Sequence, residues 1–217
     1  KTAYEITYGD WSSDVCSSDL FGFCFAQRFH PAFRFTGPSR REIGVPTVFN
    51  LLGPMANPAS ISYMVVGIGE PAFAKVMAKA IATRGVKRAW VVHGHGSMDE
   101  LSLGGPCQIV ALESGKMHEF EIDARTLGLE PANVGAVRGG SPLDNAKIFR
   151  NMLDGQTGAV RDIVALNAAA GMVVAGKAND MSQGLEMAFE SIDSGSARQV
   201  LEDLVRVSND MAKQLQK

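Results

Sequence analysis

Residues 61–93 read ISYMVVGIGEPAFAKVMAKAIATRGVKRAWVVH, and this run decides the fold. Ile61 to Ile68 is mostly apolar and β-branched and ends in Gly67-Ile68-Gly69, the pattern of a buried strand. After Pro71, apolar residues fall at Phe73, Val76, Met77, Ala80 and Ile81, the spacing of one helix face, and Gly85 supplies a left-handed stop. Ala89 to His93 is a second short strand, and Gly94-His95-Gly96 turns the chain. Strand, helix and strand in succession predict an α/β fold.

The same alternation continues toward the carboxyl end. Cys107 to Leu112 and Met117 to Ile122 read as two strands joined through Glu113-Ser114-Gly115-Lys116, a hairpin. Ser141, Pro142 and Asp144 open a helix in the order of cap, first-turn proline and acidic third position, and Gly155 ends it. Ala159 to Ala175 is apolar nearly all round, which predicts a buried helix closed by Gly176. Leu185, Ala188, Phe189 and Ile192 mark one further amphipathic helix, and Val200, Leu201, Leu204 and Val205 a last one. The expectation is a mostly parallel or mixed sheet with helices on both faces, and in such sheets ligands gather at the carboxyl ends of the strands.

Upstream the character changes. Residues 1–20 contain Trp11-Ser-Ser-Asp-Val-Cys-Ser-Ser-Asp-Leu20, a near-duplicated tract without helical or strand periodicity. It reads either as a polar linker or as a junction peptide translated from non-coding DNA, and in both cases as a poorly ordered segment outside the domain of residues 21–217. At 217 residues the chain allows one large core, or a domain and a half. Hydrophobic residues at 46% and charged residues at 20% exclude disordered and collagen-like classes. A net charge of -2, from 21 basic and 23 acidic residues, leaves no basic excess for a nucleic-acid partner. The longest apolar run, Ile163 to Ala175, is broken by Asn167 and is shorter than the ~20 residues of a membrane span. The first ten residues carry no secretory signal pattern. Cys16, Cys24 and Cys107 show no paired spacing, which suits a reducing, cytoplasmic compartment.

Special residues concentrate between His30 and Pro58. Asn50-Leu-Leu-Gly-Pro54 has the order of a helix that stops at Gly53 with a proline beyond, and Arg40-Arg41 reads equally as a solvated pair. His93 and His95 lie two apart near Asp99 but lack a third soft ligand, which argues against zinc. Asn167, midway along an apolar helix, needs a partner, and a buried hydrogen bond locking helix to sheet is the preferred reading. Cys24 and Cys107 read as buried small hydrophobes.

Five blocks in order carry a family resemblance: Phe25-Ala-Gln-Arg-Phe-His-Pro-Ala32, Arg40-Arg-Glu-Ile-Gly44, Phe49-Asn-Leu-Leu-Gly-Pro-Met-Ala-Asn-Pro58, His93-Gly94 with Met98-Asp-Glu-Leu101, and Leu166-Asn-Ala-Ala169. Together they resemble the anthranilate phosphoribosyltransferases over residues 21 to 205. Pro46 departs from the pattern, since many members have Arg there. The resemblance implies the carboxyl-terminal α/β domain of that fold. It also implies a reaction in which phosphoribosyl pyrophosphate gives its phosphoribosyl group to the amine of anthranilate, with Mg2+ as cofactor, in tryptophan biosynthesis.

By the same resemblance, Asp99 and Glu100 become the metal-binding residues, their hard carboxylate oxygens suiting magnesium shared with phosphates. Arg40 takes the position that pairs with the anthranilate carboxylate. His30, Gly53 and Pro54 take positions lining the anthranilate site, and no residue is assigned to a chemical step. The family's glycine-rich Gly-Thr-Gly-Gly-Asp loop and its Lys-x-x-Gly-Asn-Arg stretch do not occur in this sequence, nor does its helical amino-terminal domain with the homodimer contacts. The expectation is therefore a homodimeric transferase as the whole protein, with this chain alone inactive or nearly so. Two rivals remain open at this point: a pyrimidine-nucleoside phosphorylase relative, and a non-catalytic binding paralogue of the same fold.

Overall fold

The computed structural model describes residues 30–45, 49–57 and 61–214, without the side chains of residues 33, 40, 49, 50, 54 and 211–214. The Ser-Ser-Asp tract, Cys24 and Pro46 lie outside the described residues. Contacts divide the chain into one unit of Lys1–Ser60 with Ser196–Lys217 and a second of Ile61–Gly195. The sequence reading draws no such division within residues 21–217. It appears because the sheet and the helices packed on it find their contacts within 61–195.

The second unit is built on four strands: β1 (Tyr63–Gly67), β2 (Arg88–His93), β3 (Cys107–Glu113) and β4 (Lys116–Ile122), in the spatial order β1-β2-β3-β4. The expected mixed sheet is present. β1 and β2 run parallel, whereas β2–β3 and β3–β4 are antiparallel. The β3–β4 hairpin turns through Ser114 and Gly115, with φ of 49° and 77°. Two left-handed residues make the two-residue turn whose twist matches that of the strands.

Among the described residues, the first two α-helices belong to the other unit: α1 (Gly37–Ile43) and α2 (Phe49–Met55). The helix between β1 and β2 is α3 (Ala74–Ala82). Its buried stripe is Ala74, Met77, Ala78 and Ile81, while Phe73 and Val76 are exposed. The stripe read from the sequence is thus rotated toward the alanines, whose small side chains let the helix axis approach β2 and β3 closely. Gly85, at φ 75°, ends the connection as expected.

Three helices of the second unit follow the hairpin: α4 (Pro142–Leu153), α5 (Ala159–Val174) and α6 (Met181–Asp193). α5 is the core helix that its sequence predicts, with Ile163, Ala165, Leu166, Ala169, Ala170 and Val174 all buried. Val92, Cys107, Ile109 and Ala111 of the sheet join these residues in one cluster. The alternate residues Val91, Val110 and Leu112 are buried on the opposite sheet face, where α3 packs. β4 is largely exposed, so the expected covering of both faces stops short of the hairpin's outer strand. Against α5 lies α6, at a contact so close that a Cβ on Gly184 would sit 2.9 Å from the Ala169 carbonyl oxygen. Cys107 is buried, its Sγ accepting from the Ser102 N–H at 3.2 Å.

Ser141 caps α4 as predicted. Its Oγ accepts from the Asp144 N–H at 3.3 Å, and the Asp144 carboxylate accepts from the Ser141 N–H at 3.0 Å. This is a complete capping box. Replacing Ser141 by Ala should lower unfolding free energy by about 1 kcal/mol. Urea denaturation followed by circular dichroism checks this, and an unchanged midpoint would show the box to be dispensable.

Within the first unit, α2 corrects the sequence reading: it runs through Gly53 and Pro54 to Met55 instead of stopping at Gly53. Gly53 does not have positive φ, so it makes no terminating turn. The Ala56 N–H closes the end, donating to Leu52 and Gly53 carbonyls at 2.9 and 3.1 Å. In so short a helix the proline removes only one backbone bond. The last helix, α7 (Ser196–Gln214), half-buries Val200, Leu201 and Leu204 and exposes Val205. Among the described residues no helix is long and apolar enough to cross a membrane.

Candidate functional site

The parallel strands β1 and β2 end at Gly67 and His93, and the chain then folds back across those ends. Gly94 exchanges two backbone hydrogen bonds with Met98, at 2.8 and 3.3 Å, around a tight turn in which Ser97 has φ 60°. The turn delivers Asp99 and Glu100 to the carboxyl edge of the parallel pair, where α/β sheets characteristically bind ligands. Both acids are exposed, and the next three residues, Leu101, Ser102 and Leu103, are buried at 0%, 2% and 2% exposure. The acid pair therefore stands at the surface on a strip whose far side is fixed in the core.

Two glycines make that path possible. A Cβ on Gly67 would lie 1.4 Å from the Asp99 carbonyl oxygen, and one on Gly94 would lie 2.0 Å from the Glu100 carbonyl oxygen. No real carbon fits at either distance, so only glycine permits the crossing. At the same edge, His93 Nδ1 lies 2.8 Å from the Ile68 carbonyl oxygen. A carbonyl only accepts, so Nδ1 carries the proton in this bond.

Asn167 of α5 holds the strip from the core side. Its Oδ1 accepts from the Leu101 N–H at 2.9 Å, and its Nδ2 donates to the Leu101 carbonyl at 2.8 Å and to the Ile163 carbonyl at 3.0 Å. The predicted partner exists, but it is the loop behind the acid pair and not a sheet strand.

Glu100 is exposed as a whole residue, yet its carboxyl has lost part of its hydration to neighbouring protein. That desolvation first, and the adjacent Asp99 charge second, raise its pKa above the usual carboxylate value. A divalent cation would relieve both effects. Among the described residues no group of three or more His, Cys, Asp or Glu side chains gathers around one point. Two hard carboxylates without a closed cage fit a magnesium ion that keeps waters and shares substrate phosphates.

The other predicted site residues belong to the first unit. His30 is half-buried just before the 3-10 turn Pro31–Phe35. Arg40 lies in α1 and Pro54 in α2, and the side chains of both lie outside the description. A Cβ added to Gly53 would meet nothing within 4 Å, which leaves its backbone open to approach.

The model of a glycosyl transferase family, its a/b domain, matches residues 10–198. The chain belongs to this family. Within this glycosyl transferase family the chain is similar to proteins named anthranilate phosphoribosyltransferase. Identity is 47% over 190 residues with that of Roseiflexus castenholzii, covering 87% of this chain and 56% of the relative. With that of Methylobacterium radiotolerans it is 44% over 188 residues, covering 87% and 54%. Among solved structures, the anthranilate phosphoribosyltransferase from Thermus thermophilus superposes with TM-score 0.78 at 42% identity, covering 86% of this chain and 55% of that one. The Saccharomyces cerevisiae enzyme in complex with PRPP and Mg does so with TM-score 0.79 at 28% identity, covering 85% and 54%. The chain spans about half the length of the curated relatives it matches.

Gly67, Gly94 and the Leu101 contact of Asn167 are the features of the candidate site that sequence reading missed. Gly67 and Gly94 do follow strand-like runs, a signal for close backbone approach. Nothing in the sequence names what approaches.

Proposed function

We propose that the whole protein transfers the phosphoribosyl group of phosphoribosyl pyrophosphate to the amine of anthranilate in tryptophan biosynthesis, as a cytoplasmic homodimer. The observation that carries this reading is the exposed Asp99–Glu100 pair, fixed at the carboxyl ends of two parallel strands. The names of the relatives support it, as do solved complexes of the Saccharomyces cerevisiae enzyme with PRPP and Mg and with 4-fluoroanthranilate.

In this reading Asp99 and Glu100 hold Mg2+ through their carboxylate oxygens. When bound, the ion neutralises charge growing on the departing pyrophosphate. Arg40 offers a planar guanidinium whose paired N–H groups match the two oxygens of the anthranilate carboxylate, which orients the acceptor amine. His30 supplies a hydrogen-bonding ring at the same substrate, and Gly53 and Pro54 give a surface that an aromatic ring approaches closely. Bond cleavage precedes bond formation in such transfers, so positioning and charge neutralisation are the protein's tasks, and no side chain of this chain needs to act as a nucleophile.

The test is the loss of anthranilate fluorescence with phosphoribosyl pyrophosphate and Mg2+ present. The complete protein should turn over and the 217-residue chain should not, since the sequence lacks the phosphate-binding Gly-Thr-Gly-Gly-Asp motif. Arg40→Ala in the complete protein should raise KM for anthranilate at least about tenfold, on the scale of a lost charge-assisted pair. Complete protein that leaves anthranilate unconsumed would overturn the assignment.

A further inference from the structure

We infer that Asn167 is a positioning residue for the Asp99–Glu100 pair, acting with Gly67 and Gly94 to fix the backbone from Asp99 to Leu101; the inference rests on the metal-binding reading of that pair. A polar amide inside an apolar helix is costly unless satisfied, and Ala or Leu at 167 would otherwise suit α5. Asn167 uses its amide as a strand would use a peptide group, giving one bond to and taking one from the same residue, Leu101. Such a two-way pair sets the height and the tilt of the following peptide together, which one bond cannot do.

The other side of the strip is closed sterically. The Asp99 carbonyl oxygen rests over Gly67 and the Glu100 carbonyl oxygen over Gly94, each too close for any Cβ. The two peptides that carry the acidic side chains are thus held from below by strand ends and from behind by α5. A site that shares a cation with a substrate has to place its few ligand oxygens within about 0.5 Å, and supporting residues give that precision. The Asn167 amide is bonded to the Leu101 and Ile163 backbone and the two glycines carry no side chain, so their effect must pass through the Asp99–Leu101 backbone.

The experiment uses the 217-residue chain and Mn2+, an oxygen-seeking paramagnetic stand-in for Mg2+. Selective broadening of the Asp99 and Glu100 amide resonances reports local binding. Asn167→Ser is the informative variant, because a helical serine keeps a bond back to the Ile163 carbonyl and loses only those to Leu101. Asn167→Ser and Gly67→Ala should each weaken apparent Mn2+ affinity by about tenfold or more. Leu185→Ala, which destabilises the α5–α6 contact elsewhere, should leave that affinity within about twofold, although it lowers the melting temperature.

Folded Asn167→Ser with wild-type affinity overturns the inference while leaving the metal reading intact. Absence of local broadening in the wild-type chain overturns the metal reading, and the inference with it. Should Asn167→Ser fail to fold, Gly67→Ala decides by the same affinity: weakened binding supports the cradle, and wild-type binding refutes it.

Discussion

Changing Asp99 to Asn and Glu100 to Gln together should reduce kcat/KM for phosphoribosyl pyrophosphate in the complete protein by about a thousandfold, the scale of removing a transition-state charge stabiliser. Neither substitution alters side-chain volume, and both residues are exposed, so the fold should survive. Stability gives an independent readout. The raised pKa of Glu100 means that its ionised form is disfavoured in the folded chain. Its contribution is therefore most favourable below the unfolded-state pKa and is lost as pH rises through the folded-state value. At neutral pH without Mg2+, Glu100→Gln should leave the melting temperature equal or higher, and added Mg2+ should stabilise the wild type but not the double variant. A residue whose loss abolishes turnover while sparing stability belongs to function and not to packing. Steady-state kinetics with near-wild-type kcat/KM for the double variant would remove the acid pair from the mechanism.

Leu166→Ala should cost about 2–5 kcal/mol of unfolding free energy. Leu166 is fully buried in the cluster that joins α5 to Val92, Ile109 and Ala111 of the sheet. Its neighbours are held by strand pairing on one side and by the tight Ala169–Gly184 crossing on the other, so they have little freedom to collapse into the space left. Domains of this size are stable by only about 5–15 kcal/mol, so the loss takes a large share of the total. Guanidinium unfolding of the 217-residue chain measures it. A loss under about 1 kcal/mol would mean that the core relaxes around the cavity, contrary to this packing.

Much of this fold is legible from local pattern. The four strands, the Ser114–Gly115 turn, the Ser141 cap and the buried α5 all follow from spacing and residue type, because each depends on neighbours close in sequence. Where two apolar stripes compete, local pattern fails: α3 buries Ala74 and Ala78 and exposes Val76, with Phe73 exposed just before it, a choice made by the sheet. Pro54 likewise looks like a terminator until α2 is seen to run past it. The acid pair was legible only through family resemblance, since adjacent carboxylates are common on surfaces. Its supports were legible only in part. Asn167 announces that it needs a partner, but the partner is 66 residues away, and only the folded backbone shows that two glycines lie beneath Asp99 and Glu100.

The tie between Leu101 and α5 also determines how this edge of the molecule breathes. A surface loop ordinarily opens by itself, and its amide protons exchange with solvent in seconds. Here the Leu101 N–H is sequestered by a side chain of the central helix, so it can be released only when that helix is released as well. Its deuterium uptake should match that of α5. Energy gained by a ligand at the loop would then register across the whole cooperative unit, as a shift in global unfolding and not as the quieting of one segment.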